Sequence, residues 1–128
     1  MRSVLAPCLL AALHTAVVAQ QRLSLDGPWQ IAAEAADGTT NQFLPIQVPS
    51  AFETVLGPEF DGVARYRRTL PLPARAEGQP PPRVRLEFTA VATHATVFCN
   101  GTRVGEHLGG WTPFRVDVTE ALRWNGDD

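Results

Sequence analysis

Between Arg83 and Asp128 the chain reads RVRLEFTAVATHATVFCNGTRVGEHLGGWTPFRVDVTEALRWNGDD, and this stretch decides the fold class. Val84, Leu86 and Phe88 share one face while Arg83, Arg85 and Glu87 share the other. That period of two indicates a half-solvated antiparallel strand. Thr96-Val97-Phe98-Cys99 and Thr102-Arg103-Val104 flank Asn100-Gly101, a pair that tolerates positive φ at both central positions of a type I′ hairpin turn. Gly109-Gly110 permits a sharp bend, and Pro113 to Val118 supplies the next strand. Asp117 or Thr119 then caps a short helical turn, Glu120-Ala121-Leu122, by accepting from its unpaired N–H groups, and Asn125-Gly126 starts another turn.

Upstream the pattern is similar but weaker. Leu23 and Leu25 alternate with polar residues, Asp26-Gly27-Pro28 is a turn signal, and Trp29 with Ile31 begins a second strand. Asp37-Gly38 to Asn41 reads as a loop, and Ile46 to Val48 as a short strand ended by Pro49. Residues 50–63 carry Gly57-Pro58 and Asp61-Gly62 and read as an irregular surface loop. Alternation resumes from Arg65 to Leu72, and Ala74 to Pro82 is a Pro-rich connector. With no repeat and no long amphipathic helix, the expected class is all-β, an antiparallel β-sandwich of short strands.

The N-terminus is set apart. Met1-Arg2 gives a short positive start, Val4 to Val18 is mostly small and apolar, and Val17-Val18-Ala19 has small residues where a signal peptidase reads. The expectation is a leader over 1–19, cleaved after Ala19, one domain over 20–128, and a secreted or periplasmic product. Pro7, His14 and Thr15 interrupt the apolar run, which makes it a poor membrane span. A net charge of −2 offers no basic field for nucleic acid or anionic membrane.

Removing the leader would take Cys8 and leave Cys99, which cannot form an internal disulfide alone and sits where a small buried hydrophobe belongs. His94, His107 and Cys99 match no zinc spacing and lack a fourth ligand, so neither metal nor cofactor is expected. Two carboxylate groupings stand out: Glu53, Glu59 and Asp61 in one loop, and Asp117 with Glu120. Loop carboxylates are usually solvated and those at helix starts usually cap, so no catalytic residue is assigned. Asn100-Gly101-Thr102 is also an N-glycosylation acceptor pattern, and the turn role is preferred for Asn100. Among the aromatics, Trp29, Tyr66, Phe114 and Trp124 fit core packing, while Trp111 in the Gly-Gly turn is the candidate for exposure and sugar contact.

Four segments in order, LDGPW (25–29), VPSAFE (48–53), YRRTLPLP (66–73) and the block from Arg83, resemble the N-terminal domain of glycoside hydrolase family 2, the β-galactosidase/β-glucuronidase family. The specific part is the strand ending in Asn100-Gly101, then His107, Gly109, Gly110, an aromatic, Thr112, Pro113, Phe114 and Asp117-Val118-Thr119. The chain departs at Arg65, where the family usually has Trp. The resemblance implies a jelly-roll, galactose-binding-like sandwich, incomplete at its C-terminus. An immunoglobulin-like domain and a barrel bearing two catalytic glutamates would follow in a homo-oligomeric parent. One glutamate would act as nucleophile and one as acid/base, and neither has a counterpart here. It also implies a structural role for His107, holding the Gly-Gly bend by hydrogen bonding. The expected partners are those missing C-terminal domains and carbohydrate. The alternatives are a free-standing secreted carbohydrate-binding module and a structural sandwich without sugar function.

Overall fold

The computed structural model describes residues 20–75 and 77–124; the leader, its cleavage point and the Asn125-Gly126 turn lie outside them. The described residues form seven strands in chain order: β1 Gly27–Glu34, β2 Leu44–Val48, β3 Val63–Arg67, β4 Arg85–Phe88, β5 His94–Cys99, β6 Thr102–Leu108 and β7 Phe114–Asp117. One helical turn, α1 (Glu53–Leu56), follows β2, and a 3₁₀ turn, Thr119–Ala121, follows β7. All pairings are antiparallel: a three-stranded sheet ordered β2-β1-β3 and two ribbons, β4-β7 and β5-β6. The chain is all-β, as its periodicity predicts.

The first sheet forms because β1 can pair on both edges. Trp29 lies opposite Ile46, and Ile31 lies opposite both Leu44 and Tyr66. Ile31 and Ile46 are buried on that face, each side chain contributing about 1.5–3 kcal/mol. On the other face Ala32 is buried opposite Arg65, whose guanidinium bonds Glu34 at 2.7 Å. The charged head of Arg65 is thus paired at the rim of this sheet. The second apolar cluster gathers Cys99, Val116 and Val118, with Leu86, Phe88, Val97, Val104 and Phe114 packed against it.

The Asn-Gly hairpin forms as expected. Asn100 has φ 49 and Gly101 φ 79, and Cys99 faces Thr102 across the turn. β4 also follows its period of two, with Leu86 and Phe88 half-buried and Arg85 and Glu87 exposed.

Three readings need correction. Leu23 and Leu25 form no strand: the segment has no ladder partner and is pinned instead by Trp29 Nε1 and Arg68 Nη1, which donate to the Leu25 carbonyl at 2.7 and 2.6 Å. Asp26-Gly27-Pro28, read as a turn, is instead the entry to a strand, because Gly27, at φ 111, already opens β1. The strand expected to reach Leu72 stops at Arg67, because its ladder with β1 ends at Gln30 ↔ Arg67 even though β1 itself runs on to Gly27. The loop after Pro49 is also more ordered than expected, containing α1 and an edge-to-face pair of Phe52 and Phe60 with centroids 5.6 Å apart.

Candidate functional site

Of the residues singled out by sequence, His107, Gly109, Gly110, Trp111, Pro113 and Phe114 gather where β6 runs into β7, whereas Asn100, Gly101 and Asp117 lie at the other end of the ribbons. His107, near the end of β6, stacks its ring on Phe114 at 4.3 Å between centroids and 9° between planes. Phe114 stacks in turn on Phe88 at 4.7 Å and 12°. Three near-parallel rings from β6, β7 and β4 therefore form a continuous pile. This arrangement joins strands distant in sequence and was not visible from periodicity.

The turn between β6 and β7 is held at several points. The Gly109 N–H donates to the Thr93 carbonyl at 2.8 Å, and Thr112 Oγ1 lies 3.2 Å from His107 Nε2. Gly109 has φ 130, a conformation that L side chains rarely adopt. A side chain on Gly110 would sit 3.4 Å from the Ala92 backbone, so the turn also rests closely on the β4–β5 connection. His107 Nδ1 is buried without a hydrogen-bond partner among the described residues. From this held turn Trp111 projects with 93% of its surface exposed, more than any other large apolar side chain among the described residues.

A cleft of about 430 Å³ opens beside the turn, lined by Glu87, Phe88, Thr89, Pro113, Phe114 and Arg115. Arg115 Nε donates to Glu87 Oε1 at 2.8 Å on its rim. At the opposite end of the ribbons Asn100 Nδ2 donates to the Ala121 carbonyl at 2.9 Å, fastening the hairpin turn to the 3₁₀ turn. Gly101 stands beside it at the second turn position.

Asp117 is committed to structure. Its Oδ1 accepts from the Thr119 hydroxyl at 2.7 Å and the Thr119 N–H at 3.1 Å, and its Oδ2 accepts from Arg83 at 2.7 Å. Those bonds, the Thr119 hydroxyl first, hold its pKa far below the carboxylate range. The final turn spans Thr119–Ala121 rather than Glu120 to Leu122, and its N-cap is Val118 with no side-chain cap bond, although Asp117 accepts from the Thr119 N–H at its start. The Thr119 hydroxyl instead accepts from the Val84 N–H at 2.9 Å, tying the turn to the start of β4. Glu106 is likewise held low, first by its hydrogen bond from His94 and then by Arg103.

The residues considered as metal ligands are separated. Cys99 is buried near the hairpin turn, His94 pairs with Glu106 at 2.6 Å at the far end of β5, and His107 stacks on Phe114. Among the described residues no group of three or more His, Cys, Asp or Glu side chains assembles, and no helix is long and apolar enough to cross a membrane.

The family model described as "Glycosyl hydrolases family 2, sugar binding domain" matches residues 11–127. The chain belongs to that family. Its sequence is 32% identical to the β-glucuronidase of Canis lupus familiaris over 124 residues, covering 81% of this chain and 19% of the relative. It is 40% identical over 62 residues to the β-galactosidase of Thermoanaerobacter pseudethanolicus, covering 48% of this chain and 8% of that protein. Among solved structures, β-glucuronidase from Bifidobacterium dentium aligns at a TM-score of 0.61 with 32% identity, over 77% of this chain and 18% of that one. A β-glucuronidase from Ruminococcus gnavus aligns at 0.67 with 24% identity, over 82% of this chain and 20% of its own, a likeness of fold. The chain spans about a fifth of the length of these glucuronidases.

Proposed function

We propose that this chain is the non-catalytic N-terminal domain of a secreted family 2 glycoside hydrolase that cleaves β-O-glycosidic bonds, and that it scaffolds the active site of a barrel carried elsewhere in the parent. The carrying observation is the match to the family's sugar binding domain over 11–127, within relatives about five times longer. The state of the carboxylates agrees with it. A glycosidase acid needs a raised pKa, whereas Asp117, the better placed of the sequence candidates, is held low by three hydrogen bonds. The positive start and small-residue ending of 1–19 support export, and the parent's other domains and its oligomeric partner are the proposed contacts.

Reading the genomic DNA beyond the codon for Asp128 tests this. The expected result is an open frame continuing through further strands into a barrel with two glutamates. A stop codon directly after Asp128 would overturn the parent-enzyme reading. N-terminal sequencing of the exported product, expected to begin at Gln20, tests the leader separately.

A further inference from the structure

The scaffold reading uses the ring of His107 for its shape alone, yet an imidazole can take up a proton near neutrality. One face of the ring is stacked on Phe114 at 4.3 Å. Nε2 lies 3.2 Å from the Thr112 hydroxyl oxygen, while Nδ1 is buried with no hydrogen-bond partner among the described residues. A Cβ placed on Gly109 would stand 3.6 Å from Cε1, the carbon between those two nitrogens, so the ring edge lies against the Gly109 backbone. The Gly109 N–H in turn donates to the Thr93 carbonyl at 2.8 Å. Seating of the ring is therefore coupled to closure of the β6–β7 turn.

This seat suits the neutral imidazole and not the imidazolium. With Nε2–H directed at Thr112, the neutral ring leaves only a lone pair on Nδ1, whereas the cation carries an N–H on both nitrogens. Protonation in place puts a charged donor on the buried Nδ1, and a buried donor without an acceptor is costly, more so when charged. No carboxylate among the described residues is placed to accept from it. Ala95 lies across from His107 on β5, and the inward positions of β4 and β7 are Leu86, Phe88, Phe114 and Val116. The charged side chains of these strands occupy exposed positions: Arg85 on β4, Glu87 paired with Arg115, Asp117 paired with Arg83, and Glu106 paired with both His94 and Arg103. Attraction between an imidazolium and the Phe114 face offsets part of the cost. It still leaves the Nδ1 proton without an acceptor, whereas in water both N–H groups are bonded.

We infer that His107 is a proton-operated latch: neutral, it seats on Phe114 and closes the turn that carries Trp111; protonated, it leaves the pile and the turn opens. The open turn takes up a proton that the closed one excludes. The closed form is therefore favoured above histidine's ordinary value of about 6.5 and is lost as pH falls below it. One proton shifts this balance by at most about thirtyfold between about pH 7.5 and pH 5. His94 acts in the opposite sense, since its protonation strengthens its pair with Glu106. The latch is built from residues of this chain alone, so a stop codon after Asp128 would leave it intact.

Amide hydrogen exchange of the full chain, read by NMR at about pH 7.5 and about pH 5, tests this. Protection of the Gly109 N–H, relative to an unstructured amide at the same pH, should fall about ten- to thirtyfold. The Ile31 and Ala32 amides, at the centre of the first sheet, should change less than about threefold. His107→Phe keeps a ring on Phe114 without a titratable nitrogen and should flatten the Gly109 dependence. His107→Gln should flatten it too, which keeps the test open where the phenylalanine variant does not fold, and His94→Gln should preserve it. A flat Gly109 profile in the unsubstituted chain, the same fall in either His107 variant, or its disappearance in His94→Gln would each overturn the inference. An equal fall at Ile31 and Ala32 would overturn it as well, by making the transition global unfolding.

Discussion

Gly105 is placed where only a hydrogen fits. It lies in β6 opposite Val97, and a Cβ built on it would stand 2.8 and 2.9 Å from the two γ-carbons of Val116. Carbon atoms in contact normally lie about 3.5–4.0 Å apart, so Gly105→Ala demands a displacement well beyond ordinary packing tolerance. Val116 cannot easily yield: it is 5% exposed, faces Leu86 across the β4–β7 ribbon, and packs with Cys99 and Val118. Its β-branch leaves few χ1 alternatives. Overpacking of this kind costs about 1–3 kcal/mol, offset by about 0.4–1 kcal/mol from stiffening the unfolded chain. The net expectation is a loss of about 1–2 kcal/mol, which for a domain near this size lowers Tm by roughly 5–15 °C. Urea melts of the full chain followed by circular dichroism give the number, and a double-mutant cycle gives the cause. Val116→Ala alone should cost about 2 kcal/mol by emptying part of the cluster. In that background both clashing carbons are gone, and Gly105→Ala should become neutral or slightly stabilising. Equal destabilisation by Gly105→Ala in both backgrounds would refute the steric argument.

Three further outcomes follow from particular contacts. Because Asn100 Nδ2 is engaged with the Ala121 carbonyl in a tight turn, expression in an N-glycosylating host should leave Asn100 bare, and a glycosidase-sensitive mass increase on its peptide would contradict this. The depressed pKa of Asp117 contributes stability that is present above the unfolded carboxylate value and lost as pH falls through the folded one. Below about pH 4, therefore, Tm should fall less steeply in Asp117→Asn than in the unsubstituted chain, and parallel curves would be the failure. Tyr66 is the single tyrosine of the sequence, and burial, reinforced by the charge of Glu53, raises its phenol above 10.0. Its phenolate absorbance should titrate above that value in the native chain and return to it in urea, whereas identical midpoints would show that the side chain is solvated.

The hairpin and β4 were legible because their signals are local. Asn100-Gly101 fixes its own backbone conformation, and a period of two over Arg83 to Phe88 needs only one apolar layer beneath it. Leu23-Ser24-Leu25 carries the same alternation and failed, because a strand also needs a partner edge. No strand pairs with it, and the extended segment is held instead by bonds from Trp29 and Arg68 to the Leu25 carbonyl. Arg67 ends β3 for a related reason: the alternation runs on to Leu72 but the ladder does not. At the candidate site the sequence supplied the exposed Trp111 and the bend, but not the pile of His107, Phe114 and Phe88. That pile depends on three strands meeting, and no pattern within one strand reports it.

The same distinction separates what this domain can do from what its relatives are named for. Asp37, Glu106 and Asp117, the carboxyls with displaced pKa values, are all displaced downward, each by hydrogen bonds that hold a turn or a ribbon together. Such groups are stabilised as spectators at neutral pH and are poor proton donors. Their bonds serve the scaffold instead: Asp117 secures the end of β7 to Arg83, and Glu106 joins His94 to Arg103 across β5 and β6, while the β6–β7 turn that carries Trp111 is tied to Thr93. The acid of a retaining glycosidase needs a raised pKa, the opposite of the shift at these three carboxyls.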